Sequence, residues 1–157
     1  PTDFMCELLC DEDGKVGIIL LSMDPKDVDT IAKLPWSMII SDSLYGISDC
    51  PHPRLYGSFP KVLRDFVRER GVLTLPQAIH KMTAMPAARL GLDDRGVIKV
   101  GRKADIAVFD PASIADHATY DNPKQLCTGL RATLINGKIA VENDTLRRRD
   151  CGVTIKK

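Results

Sequence analysis

A chain of 157 residues, 44% apolar and 27% charged, has ordinary globular composition and room for about one domain. Lys and Arg total 22 against 21 Asp and Glu, a net charge of +1, which gives no electrostatic reason to expect nucleic acid or an anionic membrane as partner. No apolar run approaches the roughly 18 residues of a membrane span, and a closed barrel of eight βα units, at roughly 200 residues or more, does not fit.

In chain order, residues 2–10 carry Phe4, Leu8 and Leu9 and are expected to form the tail of a helix. The first residue is Pro1 rather than Met, so a preceding piece is expected. After the polar turn at 11–14, residues 16–21 form a short apolar run that reads as a strand buried on both faces. Asp24 is placed to cap a helix over 25–33 with Pro25 at its first position. Residues 36–40 read as a second strand, ending at Ser41-Asp42-Ser43. Strand, helix and strand with tight joins make a βαβ unit with parallel strands.

Residues 43–57 hold two glycines and two prolines and read as a long loop. From Ser58 a helix is expected, with Phe59, Val62, Leu63, Phe66 and Val67 on one face and Gly71 as its stop. Thr74 and Gln77 have capping-box spacing for a helix over 75–82, and Pro86 forces a restart near Thr83 that ends at Gly91. The last third is strand-like at 97–98, 106–109, 132–135 and 138–141, with Asn136-Gly137 as a two-residue type I′ hairpin turn. The run Arg147-Arg148-Arg149 reads as a solvated tail, with a binding role as the alternative.

The chemistry is sparse. Five cysteines at scattered spacings include no C-x-x-C pair, and they read as free buried thiols suited to a reducing cytoplasm. Three histidines, His52, His80 and His117, form no H-x-H or H-E-x-x-H motif, so the chain alone does not supply a catalytic zinc site. Asp42 is the first candidate, because the carboxyl end of a buried parallel strand is where α/β folds bind ligands and move protons. The alternative is that it only caps the turn. Arg54, in His52-Pro53-Arg54, offers a fork for a substrate carboxylate, or is a surface cation paired with Asp49.

Two stretches resemble a known superfamily. Lys81-Met82-Thr83-Ala84-Met85-Pro86-Ala87 leads into Gly96-Val97-Ile98-Lys99-Val100-Gly101-Arg102-Lys103-Ala104-Asp105, and then comes an apolar strand. This is similar to the C-terminal part of the amidohydrolase superfamily. Asp42, then His52-Pro53-Arg54-Leu55-Tyr56-Gly57, and Phe109-Asp110-Pro111-Ala112-Ser113 resemble its N-acyl-D-amino-acid deacylase branch. The resemblance implies the α/β C-terminal part of a zinc-dependent (β/α)8 barrel. Residues 1–95 would hold the last βα units and closing helices, and residues 96–157 a portion of a small β-sandwich. It implies hydrolysis of an N-acyl-D-amino acid, with Asp42 as the acid and base, Arg54 on the substrate carboxylate and Met23 lining the side-chain pocket.

Zinc would belong to the full-length enzyme and none is expected on this chain alone, which would be inactive without the N-terminal part of the barrel. The exposed strand edges would be covered by a partner or by a homodimer. The family's Ser-Asp-Gly stands here as Ser41-Asp42-Ser43, so the turn after Asp42 is expected to differ. Two other readings stay open: a non-catalytic binding or assembly module, and an amidohydrolase of the hydantoinase or dihydroorotase type.

Overall fold

The computed structural model describes residues 2–16, 22–44 and 49–155. α1, Thr2–Asp11, buries none of its residues. α2, Pro25–Lys33, starts as expected: Asp24 Oδ1 accepts from Lys26 N at 2.8 Å, and Pro25 occupies the first turn, where its missing N–H is not needed. Arg70 holds α2 in place, donating to both Asp29 oxygens at 2.7 and 2.8 Å while its guanidinium lies 4.4 Å from the Phe66 ring centre.

The expected strand at 16–21 falls outside the described residues except for Val16. The one at 36–40 is corrected. Trp36 lies in a turn, and residues 37–40 pair with no other strand among the described residues; the neighbour expected at 16–21 lies outside them. The segment nevertheless alternates in burial from Ser37 to Leu44. Ser37, Ile39, Ser41 and Ser43 face inward and Met38, Ile40, Asp42 and Leu44 face out. Period two is the strand signature without the ladder.

The next helix begins earlier than its apolar stripe suggests. α3, Arg54–Lys61, starts at Arg54 rather than Ser58 and runs on as a π-helical stretch, Val62–Glu69. Pro53 and Pro60 do not break it. Pro53 sits at the cap, and Leu55, Tyr56 and Gly57 take their carbonyls from His52 and Pro53. Gly57 fits where a larger residue would crowd, since a Cβ there would stand 3.1 Å from the Cβ of Asp116. α4, Leu75–Met82, has the expected capping box, with Thr74 and Gln77 bonding each other reciprocally. α5, Ala84–Arg89, restarts after Thr83. The core cluster Val62, Leu73 and Ala78 joins the π-helical stretch to α4, and Ile39, Phe66, Val67 and Met82 pack on it.

The last third is a four-stranded antiparallel sheet, β1 Ile106–Phe109, β2 Leu130–Ile135, β3 Lys138–Glu142 and β4 Thr145–Leu146, in that order. Asn136 and Gly137 have φ of 49° and 77°, as a type I′ turn requires. The Asp105 carboxylate explains the Ala104-Asp105 motif as structural: it accepts from Arg95 at 2.7 Å and from Asn136 N at 2.8 Å, bolting the hairpin to the preceding loop. The strand expected at 97–98 is not formed. Ile98 is 86% exposed and no described strand pairs with it. The thiols are also corrected: Cys6, Cys10 and Cys50 are exposed, Cys127 is half-buried, and only Cys151 is buried.

Candidate active site

Asp42 and Arg54 meet. Arg54 Nη2 lies 3.2 Å from Asp42 Oδ2, with the side chains 41% and 71% exposed respectively. The alternative partner Asp49 stands instead near Lys124, at 3.8 Å. Asp42 has φ of 47°, a left-handed conformation that costs a non-glycine residue of order 1 kcal/mol and is best tolerated by Asp and Asn. The left-handed residue is Asp42 and not Ser43, so the side chain at 43 adds no backbone strain. The Ser43 hydroxyl faces Arg54 O at 3.1 Å and Ser41 O at 3.3 Å, fastening the segment that carries Asp42 to the first turn of α3.

His52 shapes the other half. Its Nδ1 accepts from Arg54 N at 3.0 Å, satisfying a donor that the first helical turn leaves open. Nδ1 therefore carries no proton in this arrangement, and the ring is the neutral Nε2–H tautomer. Burial first, then the charges of Arg54 and Lys61, hold His52 below its ordinary value, while Asp42 pulls the other way. The ring packs edge-on against Tyr120, with centroids 5.3 Å apart. Farther along, Arg64 pairs with Asp116 at 3.2 Å, and Arg68 donates to Ile114 O at 2.7 Å and Pro111 O at 3.1 Å. Arg54 is thus seated through α3 on residues 111–120.

An open depression of about 270 Å³ lies between these parts. Ser41 and Ser43, the neighbours of Asp42, line it together with Arg54, Tyr56, Ser58 and Phe59. One cation among hydroxyls suits a small anion. Met23 does not line it; it is 78% exposed, just before the cap of α2. Among the described residues no three His, Cys, Asp or Glu side chains cluster to hold a metal ion. With Asp42 paired to Arg54 and His52 Nδ1 already engaged, the donors present do not fit a zinc ion by themselves.

Sequence reading singled out Asp42 and Arg54 but missed Ser43 and His52 as their supports. A signal for His52 exists: an acceptor side chain two residues before a helical N–H, with proline between, is a capping pattern.

Comparison with known proteins gives four results. Residues 12–141 match the model of the amidohydrolase family. The N-acyl-D-aspartate deacylase of Alcaligenes xylosoxydans xylosoxydans is 40% identical over 143 residues, covering 87% of this chain and 28% of that protein. Among solved structures, a D-aminoacylase studied for its binuclear metal centre superposes with a TM-score of 0.79 at 39% identity, over 83% of this chain and 27% of the other. The N-acyl-D-glutamate deacylase of Bordetella bronchiseptica, complexed with zinc and a phosphonate mimic of the tetrahedral intermediate, superposes with 0.73 at 44% identity, over 75% and 25%. The chain spans about a quarter of the length of these relatives.

Proposed function

The chain belongs to the amidohydrolase family, and from that premise we propose that it is the C-terminal portion of a zinc-dependent hydrolase that splits N-acyl-D-amino acids into a carboxylate and a D-amino acid. Residues 1–95 are the last βα units and closing helices of a (β/α)8 barrel, and residues 96–157 belong to a small β-sandwich. The period-two segment at 37–44, paired with no strand among the described residues, supports the first assignment. The antiparallel order β1 to β4 supports the second.

The observation that carries the functional reading is the apposition of Asp42 and Arg54 beside one hydroxyl-lined depression. An N-acyl-D-amino acid presents a free carboxylate near an amide. Arg54 binds the carboxylate with its planar fork and orients the amide. The Asp42 carboxylate takes a proton from the attacking water and delivers it to the departing nitrogen, so one group serves both transfers. Met23 lines the side-chain pocket in the full-length protein, where the remaining barrel covers its exposed face. The metal's ligands come from outside the described residues, and the remaining barrel is the partner that supplies them.

The experiment is an assay of the zinc-loaded full-length protein on paired N-acetyl-D- and N-acetyl-L-amino acids. D-selective release of the free amino acid is expected. Equal rates for both enantiomers, or no hydrolysis of either, would reject the reading.

A further inference from the structure

Lys81, near the end of α4, is 5% exposed, and no carboxylate pairs with it among the described residues. Its ammonium instead donates to Leu34 O, to Ser37 O at 3.0 Å and to Ser37 Oγ at 2.9 Å, using all three of its N–H bonds. Leu34 is the C-cap of α2, where the helix concentrates partial negative charge that favours a cation. The backbone of the same residue completes the grip, since Lys81 O accepts from Ile39 N at 3.1 Å. Residue 81 therefore holds positions 34, 37 and 39, which span the turn where α2 becomes the extended segment leading to Asp42. Three residues beyond Ile39, at about 3.3 Å each, the chain reaches Asp42, whose side chain makes an exposed ion pair with Arg54.

We propose that Lys81 is a positioning residue for the reaction: its buried ammonium and backbone carbonyl set the course of residues 37–42 and so aim the Asp42 carboxylate, without contact with substrate. This rests on the deacylase reading. Arg54 has a further seat, through α3 on residues 111–120, besides its links to the Asp42 segment, so loss of the Lys81 clamp displaces the base more than the carboxylate anchor.

The test uses the zinc-loaded full-length protein with Lys81→Met, and with Ser37→Ala, which removes one of three acceptors and covers the case where the first variant does not fold. Rates are taken per zinc-loaded site, with sites counted by a phosphonate transition-state mimic. Misplacement by about 1 Å costs up to roughly 100-fold in rate. Lys81→Met is expected to lower kcat about 10- to 100-fold with KM within about threefold, and Ser37→Ala to do the same more weakly. Unchanged kcat per site, or kcat and KM changing together, would overturn the proposal. If the wild type hydrolyses nothing, the deacylase reading fails instead, and hydrogen exchange decides the clamp. Faster exchange of the peptide covering 37–44 in Lys81→Met supports it, and unchanged exchange overturns it.

Discussion

The guanidinium of Arg54 stands 3.2 Å from the carboxylate of Asp42, so the proposed substrate anchor and the proposed base hold each other when no substrate is present. An ion pair this exposed is worth about 0–1 kcal/mol. Under the proposed function, a substrate carboxylate bound by both arms of the fork is expected to outcompete it and release Asp42 for proton transfer.

That exchange separates the two residues kinetically. In the full-length protein, Asp42→Asn removes the proposed proton acceptor and the charged competitor for Arg54 at once. Turnover is expected to fall about 10²- to 10⁴-fold, the usual worth of general acid–base catalysis, with KM not rising and zinc content unchanged. Steady-state rates alongside metal analysis check this, and near-normal turnover would remove Asp42 from the chemistry.

Arg54→Ala deletes a charged hydrogen-bonding partner worth about 1.5–3 kcal/mol. KM is expected to rise about 10- to 100-fold. Arg54→Lys is expected to recover little, because an ammonium cannot reproduce a planar two-point contact. An unchanged KM in either variant argues against the carboxylate anchor.

His52 makes the first turn of α3 sensitive to acid. Its folded value lies below the unfolded one, about 6.5, so between the two the unfolded chain binds more protons. The contribution is complete above about pH 6.5 and is lost as pH falls toward the lower folded value. His52→Asn keeps an acceptor but does not titrate. Urea midpoints from pH 7.5 to 5 are expected to fall less steeply in that variant; identical slopes would show that the imidazole is not the sensor.

Gly57→Ala tests how tightly α3 is seated. Alanine in a helix gains about 0.5–1 kcal/mol over glycine. Here its Cβ would stand 3.1 Å from the Cβ of Asp116, which Arg64 fixes from the other side. Crowding of this kind costs about 1–3 kcal/mol, so a net loss of about 1 kcal/mol is expected by urea unfolding. A gain would mean that Asp116 yields freely.

Thr74→Ala breaks the reciprocal cap of α4 and is expected to cost about 1 kcal/mol by the same measurement. Run alone on a sizing column, the chain is expected to self-associate through the exposed row of Met38, Ile40 and Leu44. A monomer that binds no apolar dye would contradict that.

What was legible in the sequence was local. Asp24 with Pro25, Thr74 with Gln77, and Asn136 with Gly137 each specify their turn within four residues, and each formed. Residues 36–40 and 97–98 have strand composition but need a neighbour's backbone to become strands, and no local signal supplies one. The start of α3 was hidden because Pro53, Gly57 and Pro60 look like loop residues. Pro53 in fact sits where a helix needs no N–H, and Gly57 answers to Asp116, a residue 59 positions away. At the site, Asp42 and Arg54 could be named singly, but their meeting depends on Ser43, His52 and the seat at 111–120.

That seat separates two properties that usually evolve together. Because the helical run that carries Arg54 rests on Asp116 through Arg64 and on Tyr120 through His52, a chimera that exchanges residues 110–129 for those of a relative is expected, under the proposed roles, to shift Arg54 more than Asp42. Recombination at this boundary would then alter the proposed substrate anchor separately from the proposed base.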